Sequence, residues 1–326
     1  MCTAISLHGA RHLYGRTLDL ECSYGEMAVI IPRKFAYKFL YEPCGADASA
    51  VMGIAHVADG APLLYDGMNE YGLYAAGLNF PDRAVYTGYR RGMKNLASFE
   101  VIPYILSSCK NLDEARRVLE DTNIVRDSYS AALPATPLHW IIGDKSGSVT
   151  AEPVADGLRV YDNPVGVMTN SPELQCQLLN LSNYMQCAPS PPKNNLCPSV
   201  SLPLYSRGLG GFGLPGDFSS ESRFVRAVFA KNHTVCQNFD EISSFFHITD
   251  SISVPLGCIL TDDGMPVSTV YTSCADLDSG EYYFTTYKNR RIRGIGFKSE
   301  NLNSDSIIAY TMDSAEDIDY LNPIRI

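Results

Sequence analysis

The chain opens with MCTAISL (residues 1–7), which puts a cysteine directly after the initiator methionine. Taken alone, Cys2 could be a small apolar residue that opens a buried strand, or part of a frayed terminus. Methionine aminopeptidases remove Met when the next side chain is small, and Cys is small. Loss of Met1 would leave a thiol and a free α-amino group on one residue, which together can act as nucleophile and base.

The composition is that of an ordinary globular protein, with 326 residues, 45% hydrophobic and 19% charged. A net charge of −10 argues against a nucleic-acid partner, which would need a basic face. No run of apolar residues is long enough to span a membrane, and no signal peptide precedes the first strand, so we expect a cytoplasmic protein without a membrane partner. No break in composition divides the chain, and we expect a single domain over 1–326.

The ten cysteines form no C-x-x-C pair and have no histidine at zinc-finger spacing. The sequence therefore predicts neither a metal site nor a cofactor. We expect the cysteines other than Cys2 to be small buried apolar residues. The six histidines are scattered, and no local motif supports a histidine-based triad.

The sequence around HGAR (residues 8–11) predicts a hairpin between strands at 2–7 and 12–21. In that hairpin Cys2 falls opposite residues 16 to 18.

Arg16 and Asp19 would then lie beside the N-terminus. Side chains at positions 16 and 19 of a regular strand point to opposite faces. If both serve one site, the strand must bend or bulge near Gly15, or end by Asp19.

Periodicity predicts the remaining elements, with groups of antiparallel strands separated by helices. The predicted strands are 27–32, 51–57, 63–66, 72–78, 137–143, 147–152, 157–161, 268–273, 281–288 and 292–297. The predicted helices are 98–109, 111–122, 221–232 and 239–247, of which the second and fourth would be capped by Asn111 and Asn238. This segregation favours an α+β fold in which sheets pack together and helices lie outside.

Residues 186–204 contain five prolines, which rules out a regular helix or a central strand there. The segment is either a linker or a protruding loop. Because strand-like sequence continues on both sides, we expect a loop that packs on a neighbouring subunit.

A thiol nucleophile needs help to ionise, since a free cysteine holds little thiolate at neutral pH. The α-amino group of Cys2 would titrate near ~7.7–8.0, where a general base works best. Arg16 is a candidate to favour the thiolate, and Asp19 to orient the amine or hold that arginine. The alternative for this Arg and Asp is a plain surface ion pair.

Amide cleavage also needs donors for an oxyanion, and two asparagines are candidates. Asn79 ends the apolar run GLYAAGLN, before Phe80 and Pro81, and Asn170 ends VGVMTN, each where an apolar strand meets a turn. Asx-turn chemistry at a strand end is the alternative for both.

Five motifs occur in order along the chain: MCTAISL, GRTLDLE, NEYGLYAAGLNFP, NPVGVMTNSP and LPGDFSSESRFVR. In them the chain resembles the choloylglycine hydrolases, the conjugated bile salt hydrolases among the N-terminal-nucleophile (Ntn) hydrolases. The resemblance implies an α+β fold, an αββα four-layer sandwich of two antiparallel sheets flanked by helices. It implies hydrolysis of glycine- or taurine-conjugated bile salts through a thioester on Cys2, after loss of Met1 and without a cofactor.

The resemblance also implies which residues form the site. The catalytic set would be Cys2, Arg16, Asp19, Asn79, Asn170 and Arg223, with Arg226, one turn further on, the less favoured arginine. Loops around 56–67 and 126–137 would line a sterol pocket, with Leu18, Ala61, Leu63, Leu64, Ala131, Ala132 and Leu133 as apolar members.

The loop at 186–204 coincides with the family's assembly loop, which implies a homotetramer. Ser206 and Arg207, with the glycine after them, match the form of a selectivity motif associated with glycine over taurine conjugates. The sister activity, penicillin V acylase, tends to carry Tyr in place of Asn79, so Asn79 favours bile salts. A relative that binds bile salts or another amphiphile without turnover is the alternative outside enzymes.

Overall fold

The computed structural model describes residues 1–43, 45, 47–236, 240–312 and 315–322. Its strands are β1 (Cys2–His8), β2 (His12–Leu20), β3 (Met27–Ile31), β4 (Val51–Ala58), β5 (Ala61–Asn69), β6 (Tyr74–Asn79), β7 (Lys94–Ala97), β8 (Thr122–Val125), β9 (Leu138–Asp144), β10 (Gly147–Val154), β11 (Gly157–Asp162), β12 (Val167–Met168), β13 (Ile259–Leu260), β14 (Pro266–Asp276), β15 (Glu281–Thr286), β16 (Arg293–Gly296) and β17 (Ile308–Thr311). Its helices are α1 (Val101–Ser108), α2 (Leu112–Glu120), α3 (Leu174–Asn180), α4 (Ser220–His233) and α5 (Glu241–Asp250).

Two antiparallel sheets dominate the structure. Sheet A has seven strands, ordered β12-β1-β2-β14-β15-β16 with β13 paired to β14. Sheet B has eight, ordered β11-β10-β9-β6-β5-β4-β3-β17. A separate parallel pair, β7 with β8, was not predicted, because KNLA and TNIV show no alternation of apolar and polar residues.

Three apolar cores separate four layers. The middle core joins the facing sides of the sheets and contains Ala4 and Tyr14 of sheet A and Ile141 of sheet B. The outer side of sheet A packs on α3, α4 and α5, as Phe224 and the other members of that core show. The outer side of sheet B packs on α1 and α2. The αββα sandwich expected from the sequence is therefore confirmed.

The helices α1, α2, α4 and α5 follow the predicted pattern with local differences, whereas α3 (Leu174–Asn180) was not predicted. The predicted helix 98–109 begins with a 3₁₀ turn, Ser98–Glu100, before α1 starts. Asn111 caps α2 as expected, since its Oδ1 accepts from the amide of Glu114 at 3.0 Å. The predicted cap Asn238 lies outside the described residues, and α5 begins at Glu241. No helix in the described ranges has the length and apolarity needed to cross a bilayer.

The prediction that the other cysteines are buried is only partly correct. Cys109 and Cys274 are buried, whereas Cys22, Cys176 and Cys258 are exposed. Cys187, Cys197 and Cys236 are partly exposed, and Cys44 lies outside the described residues. Most of the exposed or partly exposed cysteines lie in loops, where side-chain burial does not follow from residue type.

Candidate active site

The β1–β2 hairpin brings Arg16 to Cys2. Cys2 pairs with Leu18 and Ala4 pairs with Arg16, so the predicted register is confirmed. Cys2 belongs to the middle core and is only 3% exposed. Because residues 2, 4, 16 and 18 share one face of the hairpin, the Arg16 side chain reaches the thiol, and its Nη2 donates to Cys2 Sγ at 2.5 Å.

Arg16 is a buried cation with few charged neighbours. Its guanidinium also donates to three backbone carbonyls, those of Thr17 (3.2 Å), Tyr65 (3.2 Å) and Gly77 (2.6 Å). Burial lowers the pKa of Arg16, but the ionisable groups of Cys2, Tyr271 and Asp66 outweigh burial and hold it above its usual range. A charged guanidinium at this distance favours the thiolate of Cys2.

The Asp19 carboxylate lies on the opposite face of β2 from Arg16. Strand β2 is regular through both residues, and neither a bend nor a bulge occurs near Gly15. Asp19 accepts from the hydroxyl of Thr269 at 2.6 Å and from that of Thr17 at 3.3 Å. Asp19 is therefore not hydrogen-bonded to Arg16. Burial lowers the pKa of Arg223, and the charge of Asp19 opposes that effect.

The main chain of Asp19 meets the chain terminus. The amine of Met1 donates to the Asp19 carbonyl at 2.7 Å, and the Asp19 amide donates to the Met1 carbonyl at 2.9 Å. Met1 thus extends the hairpin by one residue. While Met1 is present, the nitrogen of Cys2 is an amide, and it donates to Asn170 Oδ1 at 3.0 Å.

Asn170 follows β12, which pairs with β1, and this places its side chain beside Cys2. Its Nδ2 donates to the carbonyl of Asn79 at 2.6 Å, and this hydrogen bond holds the end of β6 next to Asn170. The Oδ1 of Asn79 is buried and has no hydrogen-bond partner among the described residues. Asn170 therefore lies at the main chain of Cys2, and in the described part of the chain hydrogen bonds link Asn79 to Cys2 only through Asn170.

Arg223 enters the site from α4, whose cap is Ser219. Its Nη1 donates to the carbonyl of Cys2 and to Thr3 Oγ1, both at 2.5 Å, and its Nη2 donates to Asn170 Oδ1 at 2.6 Å. Burial lowers the pKa of Arg223, while the charges of Asp19 and Cys2 act in the opposite direction.

Arg226, the alternative arginine, points elsewhere. Its Nη1 donates to the carbonyls of Pro215 at 3.2 Å and Asp217 at 2.5 Å. The structure therefore brings Arg223, and not Arg226, to Cys2.

The residues expected to line a pocket are dispersed. Leu18 lies opposite Cys2 in the middle core. Leu64 instead packs in the outer core against α1 and α2, because a bulge in β5 turns it away from Cys2. Ala61, Leu63 and Leu133 are half-buried, and Ala131 and Ala132 are exposed. Ser206 and Arg207 are exposed in a loop, where Ser206 Oγ donates to the Arg207 carbonyl at 2.9 Å.

Asp66 is a buried acid that the sequence did not single out. It is fully buried on β5 and accepts from four hydroxyl groups, those of Tyr271 (2.7 Å), Ser273 (2.8 Å), Tyr74 (3.3 Å) and Tyr282. Burial raises the pKa of Asp66, and Arg16 and the hydroxyls partly offset this rise. The only sequence signal is an acid inside the apolar run LLYDGM (63–68).

Within the described residues, no group of three or more His, Cys, Asp or Glu side chains is arranged to hold a metal ion. The chemistry that the site itself offers is a thiol beside one arginine, with a second arginine and an asparagine at its main chain.

The model of the linear amide C–N hydrolases, choloylglycine hydrolase family, matches residues 2–310. The chain belongs to this family. It is therefore an enzyme that hydrolyses amide C–N bonds, and the resemblance found in the five sequence motifs is confirmed.

Individual relatives are similar to this chain over nearly its whole length, in sequence and in structure. A bile salt hydrolase/transferase from Lactiplantibacillus plantarum is 41% identical over 316 residues, which cover 96% of this chain and 98% of the relative. The crystal structure of a mutant conjugated bile acid hydrolase from Clostridium perfringens superposes with a TM-score of 0.92 at 33% identity, covering 99% and 100% of the two chains.

A penicillin V acylase from Agrobacterium tumefaciens shares the fold, with a TM-score of 0.74 at 24% identity, over 94% of this chain and 90% of that one. The expected Ntn-hydrolase fold is confirmed.

Proposed function

We propose that this choloylglycine hydrolase cleaves the amide bond of glycine- or taurine-conjugated bile salts. The observation that carries the proposal is the contact of the buried Arg16 with the Cys2 thiol, in a chain whose relatives are bile salt hydrolases. The products are a free bile acid and the amino acid. The reaction is proposed to take place in a single domain that comprises residues 1–326.

The proposed mechanism starts with removal of Met1, which turns the nitrogen of Cys2 into an α-amine. This amine takes the thiol proton, and Sγ attacks the carbonyl carbon of the substrate amide. When the C–N bond breaks, the amine passes its proton to the leaving nitrogen and a thioester remains on Cys2. Water, deprotonated by the same amine, then attacks the thioester and releases the bile acid and the thiol.

The neighbouring residues take separate roles in this proposal. Arg16 stabilises the thiolate by charge. The side-chain amide nitrogens of Asn79 and Asn170 are proposed to donate to the oxyanion. Asn170 Nδ2 uses one of its two hydrogens for the Asn79 carbonyl at 2.6 Å, which leaves the second for this role. Arg223 holds Asn170 and the Cys2 carbonyl in position, and the charge of Asp19 balances Arg223.

The sterol would bind to apolar side chains near the mouth of the site. We propose Leu18, Ala61, Leu63, Ala132 and Leu133 for this contact, and we leave out Leu64 because it packs in the outer core. Each Å² of apolar surface removed from water would contribute roughly 25 cal/mol. The exposed pair Ser206 and Arg207 is proposed to favour glycine over taurine conjugates.

We also propose that the proline-rich loop joins four copies into a homotetramer. Residues 186–204 contain neither helix nor strand, and the side chains of Leu196, Leu202 and, just beyond, Tyr205 are largely exposed. Exposed apolar groups on one loop are typical of a surface covered by a partner. Leu196→Asp would then lower the mass measured by sedimentation, and an unchanged mass would contradict this part of the proposal.

Release of amine by the Met1-processed enzyme tests the proposed function. Glycocholate, taurocholate and penicillin V are offered separately, with Cys2→Ala as the inactive control. Faster release of glycine than of taurine, lost in Cys2→Ala, supports the proposal and the role of Ser206. Faster cleavage of penicillin V would move the substrate to the sister acylases. Binding of bile salts without turnover, with Met1 absent by mass spectrometry, would favour a binding protein.

A further inference from the structure

Asp66 lies on the inner side of sheet B and accepts hydrogen bonds from residues of both sheets. We use the name hydroxyl ring for its four donors, Tyr74, Tyr271, Ser273 and Tyr282. An ionised carboxylate accepts about four hydrogen bonds and donates none. Each of the four hydroxyls can donate, so together they can satisfy the acceptor positions of an ionised Asp66.

A chain of hydrogen bonds connects this carboxylate to Arg16. The main-chain amide of Arg16 donates to Ser273 Oγ at 3.2 Å, and Ser273 Oγ donates to Asp66 at 2.8 Å. The guanidinium itself ends on backbone carbonyls and on the thiol of Cys2. Asp66 is thus the carboxylate whose charge acts on Arg16 from inside the middle core.

A fully buried cation needs a counter-charge. While Cys2 is a thiolate, Arg16 has one at its own guanidinium. Once the sulfur is bound in a thioester it carries no charge, and Arg16 then depends on Asp66. The Asp66 carboxylate would therefore keep Arg16 positively charged through the whole reaction cycle.

We propose that Asp66 is a positioning residue, which acts through Arg16 and, with the hydroxyl ring, sets how strongly Arg16 favours the Cys2 thiolate. The inference rests on the proposed role of Cys2 as the nucleophile. It adds a residue that touches neither the thiol nor the substrate.

Loss of the Asp66 charge leaves the thiolate as the main counter-ion of Arg16. The pKa of the thiol should then fall, so thiolate forms at lower pH. A thiolate of lower pKa is also a weaker nucleophile, with a Brønsted coefficient of about 0.4–0.5. Asp66→Asn should therefore lower kcat several-fold and leave KM unchanged.

Other titratable groups also face the thiol and the carboxylate from the packed strands and from α4. They are Tyr65, Tyr74, Tyr271, Tyr282, Asp19, Arg223 and, in the processed enzyme, the α-amine of Cys2, which wild type and variants share. Burial raises the pKa of each of these four tyrosines, which keeps them neutral over the range in which the thiol titrates. Their titration does not account for a shift at moderate pH.

The test is the pH profile of Cys2 alkylation by iodoacetamide in the Met1-processed enzyme. Alkylation is followed on the N-terminal peptide by mass spectrometry, because exposed cysteines such as Cys22 and Cys258 also react. The matched control is Asp276→Asn, which alters a buried aspartate of sheet A that bonds to Arg11 at 2.7 Å. Asp66→Asn should move the acid limb by about one unit to lower pH, and Asp276→Asn should not move it.

The outcomes are distinguishable. A profile for Asp66→Asn that superposes on wild type, while its melting temperature falls as in the control, would reduce Asp66 to a structural role. If Asp66→Asn does not fold, Tyr282→Phe removes one donor and so favours the neutral form of Asp66. We expect a smaller shift in the same direction, and no shift would overturn the inference. Alkylation needs no bile salt. A shifted profile without cleavage of bile salts would therefore contradict the proposed substrate and still support the positioning role of Asp66.

Discussion

The two ends of strand β1 are built differently. At its start, the buried arginines Arg16 and Arg223 both contact Cys2. Beyond its far end lies a cavity of about 910 Å³, lined by polar residues that include Ser6, His8 and Lys231. The cavity that Asn170 lines near the start holds only about 10 Å³.

The far end of β1 has the large cavity, whereas the near end has the two buried arginines. Lys231 donates to the carbonyl of Val165 at 2.6 Å and to Ser6 Oγ at 3.2 Å, both neutral groups. Burial lowers its pKa to about 8, so part of its charge is lost near neutral pH. At the near end, Arg16 and Arg223 are both hydrogen-bonded to Cys2. In this fold the volume of a cavity is therefore a poor guide to chemistry, and paired charges around a nucleophile are a better one.

The largest expected effect is at the near end and concerns the terminal amine. An N-terminal tag that cannot be removed keeps the nitrogen of Cys2 in an amide, and a base is lost. We expect kcat to fall by about 10²–10⁴-fold. The same tag followed by a protease site that leaves Cys2 first should restore activity, as measured by amine release. Full activity with the uncleaved tag would contradict a role for the amine.

The next effect separates two arginines of one helix. Arg223→Lys cannot bond Asn170 and the main chain of Cys2 together, because an ammonium lacks the planar fork of donors. We expect kcat/KM to fall by about 10²-fold. Arg226→Lys is the matched control and should stay within about two-fold of wild type, since its partners are loop carbonyls. Equal losses in both variants would remove the distinction drawn from the structure.

The smallest effect is at the far end and concerns stability. The folded-state pKa of Lys231, about 8, lies below the ordinary value of 10.5. The unfolded chain therefore binds that proton more tightly, and Lys231 lowers stability by up to about 3 kcal/mol below pH 8. This penalty is relieved as pH rises from about 8 towards 10.5.

Lys231→Met should remove the increase in stability that wild type shows between about pH 8 and 10.5, and it should leave amine release unchanged. The measurement is the free energy of urea unfolding against pH, as a difference between variant and wild type. If the free energy of unfolding of the variant rises equally between about pH 8 and 10.5, other groups cause the rise. A loss of activity would show that the far end of β1 also takes part in the reaction.

Local pattern was enough to predict part of the molecule. The hairpin register follows from the short turn HGAR and from alternation on both sides, so the meeting of Cys2 with Arg16 was predictable. The layers were predictable because helices and strands are segregated along the chain. The short strands β7, β8 and β12 were not, because tertiary pairing and not propensity decides them.

The rest of the site depends on contacts that no local pattern contains. Asp66 acquires its surroundings from hydroxyls of β6, β14 and β15, which meet only when the two sheets face each other. Leu64 was assigned to the pocket, but a bulge in β5 turns it outward. Arg223 was chosen over Arg226 by resemblance, and only the packing of α4 on sheet A gives the choice a physical reason.

The pairing of Met1 with Asp19 has a consequence for the timing of maturation. In the folded chain Met1 is held at both its nitrogen and its oxygen by the neighbouring strand. An aminopeptidase needs a free, extended terminus in its own cleft, so excision after folding requires the start of β1 to separate from β2 first. Excision from the nascent chain has no such barrier. The order of events in the cell, trimming before folding, is thereby favoured by the same two hydrogen bonds that lengthen the hairpin.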